Sequence, residues 1–290
     1  MKKKSKVTIW ILVSLLLLTL LCLGVLYARP ALRFEIKSKI DRLFLHADIT
    51  EITYDESSLR SILVSDLEAG NSSVTYNQSL ELINSDYPIS DESFDLATYK
   101  DTDVVMNTAI MSDYSDLRAA VTNKTGDDLF VMSSYRSQEE QALLYEEDST
   151  LAVPAGTSEH QSGLALDVYV YMYAGAGFIK SDGGQYVNES CWKYGFVIRY
   201  GEGKTDITGV GYEPWHIRYV GFPHAEIMYK NDLCLEEYLD SLEIGQFYQY
   251  EDYVISRQSG PTLLIPEELQ NVIISPDNMG NYVITGQREG

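Results

Sequence analysis

Two short stretches of this chain hold the residues best suited to chemistry. His160 and Asp167 stand seven positions apart in Ser158-Glu159-His160-Gln161-Ser162-Gly163-Leu164-Ala165-Leu166-Asp167. About fifty residues later, Glu213-Pro214-Trp215-His216 puts a carboxylate three positions before a second imidazole. Two histidines and one aspartate are a full protein ligand set for a catalytic zinc ion, which keeps its fourth position for water. Glu213 is then left for proton transfer. Zinc lowers the pKa of its water to about 7, but attack on a carbonyl still needs a group to take the proton and return it to the leaving amine. The pattern points to metal-assisted hydrolysis with Glu213 as the base.

The elements that must position these groups can be read around them. Gly163 allows a tight turn after His160, and residues 164–170 alternate so that Ala165, Asp167 and Tyr169 share one face of a strand. Pro214 argues against a helix interior, so residues 215–220 read as a second strand carrying His216. This is not the helical His-Glu-x-x-His arrangement. Residues 113–121 and 137–145 read as helices separated by an apolar strand at 129–133, and a further strand is expected at 80–84. Arg136 follows the 129–133 strand. Its guanidinium could hold a carbonyl oxygen as charge develops or grip a substrate carboxylate; an ion pair with Glu139 or Glu140 is the structural alternative.

Ser-x-His-x-x-Gly-x-Ala-x-Asp followed by Glu-x-Trp-His resembles the signature of the VanY-type zinc D-alanyl-D-alanine carboxypeptidases. Flanking stretches agree: Ser134-Tyr135-Arg136-Ser137 with Gln141, Tyr194-Gly195-Phe196-Val197-Ile198-Arg199-Tyr200, Gly203-Lys204, Ile207-Thr208-Gly209 and Tyr219-Val220-Gly221. The resemblance covers roughly residues 80–240. It implies an α+β domain of the hedgehog/D-Ala-D-Ala-peptidase-like kind, an antiparallel sheet with packed helices. One Zn2+ would sit on His160, Asp167 and His216, with Glu213 catalytic and Arg136 as the substrate-stabilising arginine. Ser134, Gln141, Ser158 and Tyr200 are carried over as substrate contacts, although a serine before a turn also reads as a local cap. The implied activity is removal of the terminal D-Ala from peptidoglycan stem pentapeptides, with glycopeptide resistance as a possible consequence. An L,D-carboxypeptidase of stem tetrapeptides, a cross-link endopeptidase and a non-catalytic wall-binding protein stay open. The last of these would not need Glu213.

Lys2, Lys3, Lys4 and Lys6 precede an uncharged apolar run at residues 7–28, long enough to cross a bilayer. It is too long for a signal-peptide core and no small-x-small cleavage site follows, so it reads as an uncleaved anchor. Cys22 does not read as a lipoprotein signal, because Leu21 stands where a small residue is needed. Basic residues flank the span on both sides. The very short N-terminal tail and a wall substrate therefore set the expected orientation, a single-pass cell-membrane protein with its catalytic domain outside. Residues 1–29 carry five basic and no acidic residues, which leaves 17 basic against 43 acidic and a net charge of −26 in the remainder. Such a surface repels nucleic acid and reads as a solvated one. The expected partners are peptidoglycan stem peptides or their precursors and the membrane, with no nucleic acid.

The expected organisation is a cytoplasmic tail (1–6), an anchor (7–28), a stalk (29–75), the catalytic domain (76–244) and a β-rich C-terminal appendage (245–290). In the appendage, Tyr253-Val254-Ile255-Ser256 is echoed by Tyr282-Val283-Ile284-Thr285 after a turn at Asp277-Asn278-Met279-Gly280-Asn281. His224 opens an expected helix and reads as a surface residue. Cys191 and Cys234 are as consistent with buried free thiols as with a disulfide in an exported domain.

Overall fold

The computed structural model describes residues 2–72, 74–89, 93–149 and 152–288; the side chains of residues 2–9 and of Cys22 lie outside the described residues. The chain divides into two compact units, residues 1–44 and 45–290. The first holds α1 (Lys2–Ala28) and α2 (Pro30–Arg42). Pro30 starts α2, where its fixed φ and missing N–H suit the first turn. In α1 the stretch Trp10–Ala28 is long and apolar enough to cross a membrane, and side chains such as Trp10, Leu12 and Leu16 are exposed along it.

The second unit is a mixed α+β fold. It opens with β1 (Thr50–Ile52), β2 (Leu59–Leu63), α3 (Val64–Glu68) and β3 (Thr75–Tyr76), followed by β4 (Leu96–Thr98) and β5 (Val105–Asn107). Its middle runs α4 (Met111–Thr125), β6 (Leu129–Ser133), α5 (Gln138–Glu147), β7 (Ala165–Val170), α6 (Asp182–Ser190), β8 (Phe196–Ile198), α7 (Thr205–Thr208) and β9 (His216–Tyr219). Then come α8 (His224–Lys230), α9 (Leu235–Asp240), β10 (Phe247–Tyr250), β11 (Tyr253–Ser259), β12 (Thr262–Pro266), β13 (Gln270–Pro276) and β14 (Asn281–Gln287). Local chemistry sets several of these ends. Gly126 closes α4 in the left-handed conformation, and Ser137 and Glu140 form a reciprocal capping box at the start of α5.

A four-stranded antiparallel sheet in the order β6-β7-β9-β8 forms the centre of the unit. Alternation along β7 turns Leu166, Val168 and Val170 inward against Leu117 and Val121 of α4, Val187 of α6 and Ile217 of β9. A six-stranded sheet in the order β1-β10-β11-β14-β13-β3 is antiparallel except for its β13–β3 edge. The echoed segments are β11 and β14, paired with Ser256 opposite Ile284. A second core joins Leu82, Val197 and Val220 to Leu235 and Leu239 of α9 and to Ile255 and Val283 of the six-stranded sheet.

These contacts differ from the expected organisation. The expected stalk (29–75) supplies β1 and the first residue of β3 to the six-stranded sheet and β2 to a ladder with β12, and the segment after residue 245 shares a core with α8 and α9. Leu80, Leu82 and Ile83 are buried as expected of a strand, yet residues 80–84 form none. Their polar groups go to side chains and loop backbone instead: Leu80 N donates to Ser275 Oγ (2.9 Å), Leu82 N to the Asp277 carbonyl (3.2 Å), and the Leu82 carbonyl accepts from Asn278 Nδ2 (3.0 Å). His224 does open α8, but it is buried rather than on the surface. Cys191 and Cys234 are both free and buried, and burial pushes both thiols up to about 12.

Candidate active site

Register brings the candidate residues together. Asp167 of β7 lies directly opposite His216 of β9 on one side and Ser133 of β6 on the other, so the carboxylate and the imidazole are cross-strand neighbours. His160 comes from a 3₁₀ turn, Glu159–Ser162, that ends at Gly163 with φ +68°. A Cβ at Gly163 would fall 2.6 Å from Leu96 Cδ2 and 2.7 Å from the Asn107 backbone nitrogen. Both the left-handed backbone and this close approach require glycine there. Glu213 is fixed through its main chain: its N–H donates to the Tyr200 carbonyl (3.0 Å), its carbonyl accepts from His216 N (3.2 Å), and the Pro214 carbonyl accepts from Asn188 Nδ2 (2.9 Å).

His160, Asp167 and His216 could hold a metal ion, since one ligand atom from each lies within 4.8 Å of the others. His160 Nε2 is 3.3 Å from Asp167 Oδ2, and His216 Nδ1 is 3.1 Å from Asp167 Oδ1. Donors bound at about 2.0–2.1 Å around a tetrahedral ion stand roughly 3.3 Å apart, close to both contacts with Asp167, and two imidazoles with a carboxylate are a donor set that suits zinc. The Ser134 carbonyl can only accept, so its 2.9 Å contact puts the His160 proton on Nδ1 and leaves Nε2 facing the site with a lone pair. Glu213 Oε2 lies 3.7 Å from His216 Nδ1. The Glu213 side chain is 28% exposed against 4% for either histidine, which sets it at the mouth of the site.

The electrostatics separate the three carboxylates. Burial alone would raise Asp167, but its close contacts with the His160 and His216 imidazoles hold it well below the usual carboxylate range. Burial raises Glu213 above its ordinary value, helped by Asp167 and opposed by His216 and Arg136. Glu159 is held far down against its burial by Arg199 and Arg218. Burial lowers His160, whereas in His216 the hydrogen bond to Asp167 and the nearby charges of Asp167 and Glu159 outweigh burial and push it up to about 9.

Arg136 lies beside these groups: its backbone N–H donates to the His160 carbonyl (3.2 Å), and its guanidinium feels the charges of Asp167 and Glu213. Burial lowers its pKa while Asp167, Tyr200 and Glu213 raise it, and its Nε is buried with no hydrogen-bond partner among the described residues. Its Nη1 donates not to Glu139 or Glu140 but to Gln141 Oε1 (2.7 Å). Gln141 is buried, and its Nε2 donates to the Val153 carbonyl (2.7 Å), so both ends of that amide are engaged in holding Arg136 and a loop. Ser134 meets the site through its carbonyl. Ser158 is buried just before the 3₁₀ turn, and the Tyr200 ring packs against His216 with centroids 4.8 Å apart.

The residues behind His216 escape sequence reasoning. Glu159 is fully buried, and its Oε1 accepts from both Arg199 Nε (2.7 Å) and Arg218 Nη1 (2.8 Å). Arg199 also holds Glu236 bidentately (2.8 and 2.6 Å), while Arg218 donates to the carbonyls of Ser79 (3.2 Å) and Glu81 (2.7 Å). Glutamate and arginine are almost never fully buried unless paired, so nothing in the local text marks them as interior. The available signal is position: Glu159 adjoins His160, Arg218 follows His216 by two, and Arg199 lies in the flanking text quoted above.

Known proteins share this arrangement of sequence and fold. The model of the VanY family, described as D-alanyl-D-alanine carboxypeptidase, matches residues 103–222, which include Arg136, His160, Asp167, Glu213 and His216. A D-alanyl-D-alanine carboxypeptidase of Enterococcus faecium is 35% identical over 237 residues, covering 72% of this chain and 75% of that protein. The vancomycin-resistance D,D-dipeptidase VanXYg, solved in complex with a D-Ala-D-Ala phosphinate analog, superposes with a TM-score of 0.63 at 26% identity, over 79% of this chain and 98% of the other. The D,D-pentapeptidase VanY from a VanB-type resistance cassette, solved as a mutant in complex with Zn(II), gives a TM-score of 0.50 at 32% identity, over 56% of this chain and 98% of the other.

Proposed function

This chain belongs to the VanY family of D-alanyl-D-alanine carboxypeptidases, and from that premise we propose that it is a zinc D,D-carboxypeptidase. It removes the terminal D-Ala from peptidoglycan stem pentapeptides, outside a membrane in which α1 is the anchor. The observation that carries this reading is the convergence of His160, Asp167 and His216, with Glu213 at 3.7 Å from one of them and the Arg136 guanidinium near enough to feel Asp167 and Glu213. The Zn(II) in the VanY pentapeptidase and the D-Ala-D-Ala analog in VanXYg support it.

His160, Asp167 and His216 would hold one Zn2+, which when bound supplies an acidified water and polarises the scissile carbonyl. Arg136 stabilises the carbonyl oxygen as negative charge develops on it. Glu213 takes a proton from the attacking water. Its raised pKa lets it keep that proton until the departing D-Ala nitrogen accepts it. Gln141 acts one step back, by holding the Arg136 guanidinium in place. Loss of the terminal D-Ala from precursor pentapeptides is also the chemistry through which such an enzyme contributes to glycopeptide resistance.

The test uses the full chain in detergent with zinc, incubated with stem pentapeptide or tetrapeptide and read by product mass. Pentapeptide is expected to lose one alanine. Glu213→Ala should slow this by about 10²–10⁴-fold while still binding zinc. Shortening of tetrapeptide alone moves the specificity to L,D; no cleavage of either peptide by zinc-loaded protein sinks the enzymatic reading. A pentapeptide pool unchanged by expression in cells counts against the resistance role.

A further inference from the structure

The two candidate histidine ligands are supported differently. His160 meets the site with Nε2 and gives Nδ1 to the Ser134 carbonyl. His216 is turned the other way: Nδ1 faces Asp167 and Glu213, and Nε2 points back into the protein. There it meets Glu159 Oε2 at 3.6 Å. Both atoms are buried, and neither has a hydrogen-bond partner among the described residues. The other oxygen of Glu159 is already taken by two guanidiniums, so Oε2 is the one part of this carboxylate left to accept.

We propose that Glu159 is a positioning residue for His216: its Oε2 accepts the Nε2–H of the imidazole, fixing the tautomer that leaves the Nδ1 lone pair directed at the metal site. This rests on the reading of His216 as a ligand. A separation of 3.6 Å exceeds a hydrogen bond by a few tenths of an ångström, which a small rotation of the ring closes. The alternative neutral tautomer sets the Nε2 lone pair against a carboxylate oxygen and a proton where the ligand lone pair is needed, so it fails at both ends. Arg199 and Arg218 serve the same purpose. Arg199 is bound to Glu236 of α9 and Arg218 to two carbonyls of residues 79–81, so Glu159 is tied to α9 and to that segment and cannot swing away. Carboxylate–histidine–metal pairs of this kind orient the ring and raise its basicity.

Glu159→Gln is the test. Its carboxamide keeps one oxygen for the arginines and turns an NH2 toward Nε2, which then has to accept and so carries the lone pair. Zinc affinity, measured by chelator competition on the full chain in detergent, is expected to fall about 10–100-fold, with kcat reduced even at saturating zinc. On the zinc-loaded wild type, ¹⁵N NMR of the imidazoles should find His216 protonated at Nε2, a readout that does not depend on the variant folding. Zinc affinity and kcat within about twofold of wild type in a folded Glu159→Gln protein, or a His216 proton on Nδ1, would overturn the proposal. Unchanged zinc affinity in His216→Ala overturns its premise, the ligand assignment itself, whatever Glu159 does.

Discussion

Asp277 and Glu159 are both fully buried carboxylates bound by arginine, one in a turn of the six-stranded sheet and one behind the candidate metal site. Asp277 has no capacity left. Its Oδ2 accepts from Arg257 Nε (2.8 Å) and Nη2 (2.7 Å) and from Asn281 Nδ2 (2.9 Å), and its Oδ1 from the backbone N–H groups of Met279 (2.7 Å) and Asn281 (2.9 Å). Glu159 receives two guanidiniums on one oxygen and keeps the other beside His216. The first arrangement can only hold a turn and, through Arg257 Nη1 on the Leu239 carbonyl (2.8 Å), dock that turn on α9. The second can act on a neighbour. What separates a structural buried ion pair from a functional one is whether every lone pair is committed.

The sharpest way to break that comparison is Asp277→Ala. Removing one partner of a buried pair leaves Arg257 uncompensated and should cost about 3–5 kcal/mol of stability in denaturant melts. Below the melting range, zinc affinity and kcat/KM should stay at wild-type values. If zinc affinity fell as it is expected to in Glu159→Gln, the two carboxylates would not differ in kind.

The same division governs what could be read from the sequence. The candidate ligands, the candidate base and the strands that carry them stand out in the sequence because Asp167 and His216 lie in short apolar alternations with a glycine and a proline at diagnostic places. The turn at Asp277 was legible from its residues. Strands β1 and β3 were not, since each is two or three residues long and pairs with a strand about two hundred positions away; no periodicity survives in so short a segment. Residues 80–84 misled for the opposite reason. Their burial is genuine, but their backbone groups are met by Ser275, Asp277 and Asn278 instead of a ladder. Glu159 stayed hidden because its meaning lies in Arg199 and Arg218, forty and fifty-nine positions on.

A matched pair of core truncations tests whether the two sheets are functionally separate. Ile217 and Ile255 are both fully buried, one beside His216 on β9 and one in β11 of the six-stranded sheet. Each Ile→Ala change should cost about 2–5 kcal/mol. Only Ile217→Ala should also lower kcat, by up to about a hundredfold, because a shift of about 1 Å in β9 carries the imidazole with it. Equal losses of kcat in the two variants, measured at a temperature where both are folded, would show that the six-stranded sheet also sets the site geometry.

The smallest expected effect concerns a third buried imidazole. His224 has both ring nitrogens engaged, Nδ1 with the Tyr238 hydroxyl (2.6 Å) and Nε2 with Thr285 Oγ1 (2.9 Å), joining α8 to α9 and β14. Like Asp277, it has nothing in reserve. Burial pushes its pKa down to about 3, against about 6.5 in an unfolded chain. Between those values the unfolded state binds the extra proton, so stability that is fully present above about pH 6.5 is lost as pH falls toward 3, with a slope of about 1.4 kcal/mol per pH unit. His224→Gln should start less stable at pH 7, by about 1–3 kcal/mol for a lost hydrogen bond, but fall less steeply through the same range. Its kcat/KM at pH 7 should match wild type, because neither of its partners touches the candidate site. An acid slope unchanged by the substitution would assign the loss to other groups, and the histidines of the candidate metal site would be the first to examine.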